Sequence, residues 1–228
     1  MDNSKTEIVL VVDKSGSMNS MRQTVISAIN SFLAEQKQAE GTAAITLYTF
    51  NQEVQVMLPR CELKEAADLT PATYQPNGCT ALLDAVGTAI DNTGKKLAAM
   101  AESERPGTVI IGIMTDGYEN ASSDYTWKQV ADRIKHQREK YNWHFNFFGA
   151  GADTFDVAAK MNISRRESVQ WDAADAEEVQ CVMQSQSRRV RAARACSMGV
   201  ATRDDLAVME CSMSEVMDSC RSNKKRKK

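Results

Sequence analysis

The chain has 228 residues, of which 43% are hydrophobic and 25% charged, an ordinary globular composition with length enough for one large domain, alone or with an appendage. Its net charge of -2 points to no polyanionic partner for the chain as a whole, although Arg221 to Lys228 carry six positive charges and the remainder therefore sums to -8. No stretch approaches the ~20 apolar residues of a membrane span, Met1 to Lys5 lack the apolar core of an export signal, and the six cysteines show neither a CxxC pair nor a histidine at zinc-like spacing. These features lead to the expectation of a cytoplasmic chain with no membrane contact and with reduced thiols.

Apolar runs of strand length alternate with helical patterns, which argues for βα units and a mostly parallel sheet. The first strand is Ile8 to Val12, and it runs at once into Asp13-Lys14-Ser15-Gly16-Ser17. Met21, Val25, Ile29, Phe32 and Leu33 then recur at helical spacing. Ala43 to Phe50 reads as a second strand and Val54 to Leu58 as a third. Only Asn51-Gln52-Glu53 separates them, too few residues for a parallel crossover, so an antiparallel hairpin with the third strand on the edge is expected.

Cys61 to Asn77, with Pro59, Pro71 and Pro76 in or beside it, should be a long irregular connection over the top of the sheet, ending at Gly78-Cys79-Thr80. Leu83, Val86, Ile90 and Leu97 form the stripe of the next helix, with Thr80 placed to cap it and Gly94 placed to bend or break it. Thr108 to Met114 is the most buried strand signal and ends at Thr115-Asp116-Gly117. Trp127, Val130, Ile134 and Tyr141 mark a helix, Trp143 to Phe148 a strand, Thr154 to Met161 a short helix and Ser168 to Trp171 a short strand. The two histidines, His136 and His144, read as surface or packing residues.

Ligands of open α/β sheets bind beyond the carboxyl ends of the strands, and three oxygen-bearing sites stand there. These are the loop with Asp13, Ser15 and Ser17, then Thr80, then Asp116. Taken singly, each has an ordinary reading, because hydroxyls cap helices and aspartates end strands. Taken together, two carboxylates and three hydroxyls supply five oxygens, direct or through water, to a hard cation such as Mg²⁺, which takes six and commonly keeps some waters. One position stays open.

At these residues the chain resembles a von Willebrand factor A domain with a metal-ion-dependent adhesion site, whose pattern is Asp-x-Ser-x-Ser after the first strand, a threonine in a later loop and an aspartate after the fourth strand. The flanking residues Val-Val-Asp-Lys-Ser-Gly-Ser-Met, Gly-Cys-Thr-Ala-Leu-Leu-Asp-Ala and Ile-Met-Thr-Asp-Gly-Tyr-Glu-Asn-Ala resemble small intracellular members of bacterial or phage type. The resemblance covers residues 5–172. It implies a doubly wound, Rossmann-like sheet with one antiparallel edge strand, and Mg²⁺ or Mn²⁺ held by Asp13, Ser15, Ser17, Thr80 and Asp116. Neutral hydroxyl ligands leave part of the metal charge uncompensated, so the implied activity is to grasp an aspartate or glutamate of a partner protein. Asp84, one helical turn after Thr80, would then stand behind the ligands or be a solvated helix residue, and Lys14, Met18, Tyr118, Glu119 and Asn120 would form the rim.

Residues 173–220 read as a helical extension, with one helix over Asp175 to Ala195 and another over Ala201 to Cys220 that docks on the domain or on a second copy. Arg188, Arg189, Arg191 and Arg194 cluster on the first. Residues 221–228 read as a disordered basic tail, which is a solvated end, a weak contact to nucleic acid or an anionic surface, or an address signal. The alternative to a protein-binding module is accordingly a nucleic-acid-associated factor using those arginines with Lys224, Lys225, Arg226, Lys227 and Lys228. A metal-dependent phosphatase is disfavoured because the second carboxylate such enzymes place two residues after the first is here Ser15, and there is neither a P-loop nor a GxGxxG motif.

Overall fold

The computed structural model describes residues 1–225. Six strands, β1 (Asp2–Asp13), β2 (Thr42–Phe50), β3 (Val54–Glu62), β4 (Pro106–Thr115), β5 (His144–Gly149) and β6 (Ser168–Gln170), form one sheet in the order β3-β2-β1-β4-β5-β6. All neighbours are parallel except β2 and β3, the expected edge hairpin. The edge strand is four residues longer than its apolar run. Pro59 lies inside it, which an edge tolerates because one side of the strand needs no N–H donor.

Helices cover both faces. On one, α1 (Arg22–Lys37), α5 (Ala176–Met198) and α7 (Met213–Lys225) pack on Ile8, Leu10, Val12, Ile45, Leu47 and Ile110. On the other, α2 (Leu82–Ala98), α3 (Trp127–Tyr141) and α4 (Thr154–Lys160) pack on Val9, Val11, Ile111, Ile113, Phe145 and Phe147. Alternate residues of β1 thus enter opposite cores, which is why the strand reads as an unbroken apolar run. Its polar start, Asp2 to Glu7, pairs with β2 and β4 all the same. Glu7 is buried there, and its carboxylate is held by Arg60 of β3 at 2.9 to 3.0 Å.

Several expectations need correction. Gly94 does not end α2, which runs on to Ala98. The stretch from Ala201 to Cys220 is not one helix but two, α6 (Arg203–Glu210) and α7, parted at Cys211 and Ser212. The break follows from two N-terminal signals. Thr202 and Asp205 make one capping box, and Ser212 and Glu215 exchange the same bonds, Ser212 N to Glu215 Oε2 at 2.7 Å and Glu215 N to Ser212 Oγ at 3.3 Å. Helix α7 continues to Lys225, so residues 221–225 are helical rather than irregular, and Arg226, Lys227 and Lys228 lie outside the described residues.

The four arginines of α5 do not share one exposed face either. Arg194 is buried and donates to Gln36 O, Gln36 Oε1, Ala39 O, Glu40 O and Gly41 O, gathering the chain end that follows α1. Arg189 is buried too and donates to Met209 O at 2.9 Å and Cys211 O at 2.6 Å, closing the break between α6 and α7. Arg188 bonds Ser219 Oγ, and only Arg191 of the four is exposed. A guanidinium with five donors can satisfy several helix-end carbonyls at once, and this is the use α5 makes of them. Arg194→Met should therefore lower the urea midpoint by an amount corresponding to ~2–4 kcal/mol, where a solvent-facing nucleic-acid residue would change stability by less than ~0.5 kcal/mol.

Candidate metal centre

Three loops meet at the carboxyl ends of β1 and β4. Asp13, the last residue of β1, is fully buried; its Oδ1 accepts from Ser15 N at 2.6 Å and its Oδ2 from Thr115 Oγ1 at 2.5 Å. The chain then turns into a 3-10 segment, Gly16–Met21, in which Ser15 holds the cap position but makes no side-chain cap bond. Its hydroxyl lies instead 3.1 Å from Ser17 Oγ, which donates to Asp116 Oδ1 at 2.7 Å. Gly117 follows. A Cβ there would stand 2.9 Å from Thr80 Oγ1 and 3.7 Å from Asp13 Oδ2, so glycine is what lets the β4 loop pass beneath both oxygens. Asp13, Ser15, Ser17, Thr80 and Asp116 are brought together.

Backbone contacts rather than side-chain packing set this meeting. Asn77 N donates to Lys14 O at 2.8 Å and Gly16 N to Gly78 O at 3.0 Å, joining the first loop to the second. The hairpin turn supports the second loop from below, through Ala81 N to Asn51 O at 2.7 Å, Cys79 N to Gln52 Oε1 at 3.1 Å and Asn51 Nδ2 to Asn77 Oδ1 at 2.6 Å. Gly78 has φ +75°, a left-handed turn that favours glycine. Asn120 ties the second loop to the third, since its Oδ1 accepts from Thr80 N at 2.9 Å while its own N–H donates to Thr80 O at 3.0 Å. Under all of them Tyr74 is buried and donates its hydroxyl to Asp13 O at 2.6 Å.

Thr80 is not the cap of α2. The helix starts two residues later, and its free amides at Leu83 and Asp84 go to Glu119 Oε2 at 3.0 Å and Ser122 Oγ at 3.1 Å. This leaves the Thr80 hydroxyl to the site. Most of the expected rim is scaffold as well. Met18 is in the core, and Lys14 is buried with its ammonium on Gln55 Oε1 at 2.7 Å. Glu119 and Asn120 hold α2 and Thr80, and Tyr118, 65% exposed, is the rim residue that remains. Asp84 is not a solvated helix residue but is buried. It accepts from Ser123 N, Asp124 N and Tyr125 N at 2.8 to 3.0 Å and anchors the loop that returns from β4 to α3.

Burial dominates the electrostatics. It pushes the Asp13 carboxyl up to about 6 against the bonds from Thr115 and Ser15, with the neighbouring Asp116 adding to the rise, and it raises Asp116 as well. A buried carboxylate with a second, half-buried one acting on it is a standing cost unless a proton or a cation joins them. The donors are all oxygens, three of them neutral hydroxyls, and they suit a hard divalent cation. Among the described residues no cluster of three or more histidines, cysteines, aspartates or glutamates is found, so a metal there would depend on the hydroxyls.

A family model, the von Willebrand factor type A domain, matches residues 7–164. No curated protein matches the chain. Among solved structures, a PilB minor pilin from Streptococcus sanguinis is similar with a TM-score of 0.56 at 10% identity, covering 87% of this chain and 64% of the pilin. Proximal thread matrix protein 1 of the mussel byssus, with a zinc-occupied MIDAS motif, has a TM-score of 0.58 at 14% identity, covering 79% of this chain and 46% of that one. Manganese-loaded TRAP of Plasmodium vivax has 0.52 at 16%, covering 78% and 73%. The chain thus spans less than two thirds of the pilin and of the byssus protein, and at these identities the likeness is one of fold.

Two outcomes test the site as built. Asp84→Ala should cost ~1–3 kcal/mol, as expected for buried amides left without an acceptor, and should speed hydrogen exchange at Ser123, Asp124 and Tyr125; unchanged exchange would refute the anchor. The second concerns pH. A carboxyl raised in the folded state contributes stability that is complete below its unfolded value, ~3.9, and is lost as pH rises through the folded value. In EDTA, wild type should therefore lose on the order of 2 kcal/mol more between pH 4 and pH 7.5 than Asp13→Asn does, measured by urea unfolding.

Proposed function

The chain belongs to the von Willebrand factor type A family, and we propose that it is a metal-dependent protein-binding module of that family. In this reading Asp13, Ser15, Ser17, Thr80 and Asp116 hold Mg²⁺ or Mn²⁺, directly or through water, and an aspartate or glutamate of a partner protein completes the coordination. The single observation that carries it is the chain of oxygens Ser15, Ser17, Asp116 set beside a buried Asp13 whose charge has no cationic side chain in contact. The zinc-occupied and manganese-loaded sites of the similar proteins support the same reading.

The cation would supply charge for a carboxylate to meet, and the residues of the chain do the rest. Thr115 and Ser15 N fix the Asp13 carboxylate, Tyr74 fixes its backbone, and Asn120 sets Thr80 against it. With three neutral ligands out of five, the two carboxylates do no more than balance the cation, whose open coordination position is then free to take an acidic side chain, and Tyr118 stands exposed beside it for further contact. Binding without bond cleavage fits the described residues better. Ser15 occupies the place of a second carboxylate, His144 lies at the opposite end of β5 from Gly149, and His136 sits on α3 against Tyr141. No helix among the described residues is long and apolar enough to cross a membrane.

Mg²⁺ or Mn²⁺ should raise the melting temperature of wild type, with ~2.7 kcal/mol of added stability at a hundredfold excess over the dissociation constant, and should leave Asp13→Ala and Ser17→Ala unshifted. Partner capture should occur with metal and fail in EDTA or with Asp13→Ala; equal capture in all three would sink the proposal.

A further inference from the structure

The sheet is incomplete at its foot. Strand β6 spans three residues and pairs with Phe147 to Gly149, so among the described residues the outer edge of β5 at His144, Phe145 and Asn146 has no strand beside it. The space is a cavity of about 460 Å³, walled by β4 and β5 on one side and on the other by α5 and the α6–α7 junction. That volume lies in the range of small-molecule sites.

Its charge is unbalanced. Arg138, Arg166 and Arg189 line it with one carboxylate, Glu167. Glu167 is engaged through one oxygen, its Oε2 accepting from Ser164 N at 3.0 Å, Ser164 Oγ at 2.8 Å and Arg138 Nη2 at 3.0 Å. Neither Arg166 nor Arg189 forms an ion pair among the described residues. Arg189 is only 9% exposed, and three of its donors face two carbonyls and the Met213 thioether. Burial first, then the like charge of Arg166, makes its guanidinium less basic than usual. Arg138 carries a second deficit, since its Nε is buried without any hydrogen-bond partner. Glu167 acts on Arg189 and Glu215 on Arg166 from beyond ion-pair distance, so a buried cation is left without a counter-charge in contact, which is costly, and a buried donor without an acceptor adds to the cost.

We propose that this cavity binds a small organic anion, its phosphate or carboxylate meeting Arg166 and Arg189 and its apolar body lying on the half-buried Met209. The site is separate from the Asp13 centre, at the other end of the sheet. Its inner wall comes from the extension, so a bound anion would bridge β5 to the α6–α7 junction through Arg189 and fasten the extension to the domain. Guanidinium groups suit both head groups because their paired N–H donors match two oxygens.

The test is calorimetric titration of the full chain with phenyl phosphate, benzoate and phenol. Saturable binding of either anion is expected, the tighter one identifying the head group, and none of phenol. Arg166→Gln, at an exposed position, should weaken binding tenfold or more, and Ala193→Phe, which fills the cavity, should abolish it. Absence of binding by both anions, or binding unchanged in both variants, would overturn the proposal.

Discussion

A carboxylate removed from water at the end of a central strand is the constraint around which the top of this molecule is arranged. Asp13 has no exposure and, among the described residues, no basic side chain against it. Its two oxygens are met by one amide and one hydroxyl, which is enough to orient the group and too little to neutralise it. Everything near it either fixes its position or brings another oxygen up to it. Tyr74 comes from the irregular segment after β3, Thr115 from the end of β4, and Ser17 and Asp116 close a line of oxygens beside it. A protein that needed only stability would place an apolar side chain at the end of this strand. Retaining the charge makes sense if a cation is the missing partner.

The second consequence is that the oxygens are held by other loops' backbones. Lys14 O, Gly78 O, Thr80 O and Asn51 O each accept from an amide of a different loop. Loops joined in this way are ordered by folding itself, which lowers the ordering cost a ligand would otherwise meet. Asp84 and Glu119 serve the same end from the helix side, joining the start of α2 to the loop that carries Asp116.

Much of this is legible in the residues alone. The strands are read from run length, and the hairpin from three intervening residues that cannot span a crossover. The five oxygens of the site are read from their places after strands. What escapes is any role set by direction rather than by position. Glu119, Asn120 and Asp84 look like surface residues because nothing local shows that amides of another loop face them. Arg189 and Arg194 look like a basic face because periodicity does not show that the helix turns them inward onto carbonyls. The division of α6 from α7 was open to a local reading, since Ser212 and Glu215 carry the spacing of a capping box; the apolar periodicity running through Met209 and Met213 conceals it. Tyr74 carries no signal at all in a segment that reads as irregular.

Water-proton relaxation with Mn²⁺ tests the central claim most directly, because it reports both the bound metal and the water left on it. The account predicts that wild type, and not Asp13→Ala, enhances relaxation on binding Mn²⁺, and that a peptide bearing a glutamate lowers the enhancement by displacing that water while its glutamine counterpart does not. Absence of Mn²⁺ binding at neutral pH, or a bound ion whose relaxation the acidic peptide leaves unchanged, would contradict it.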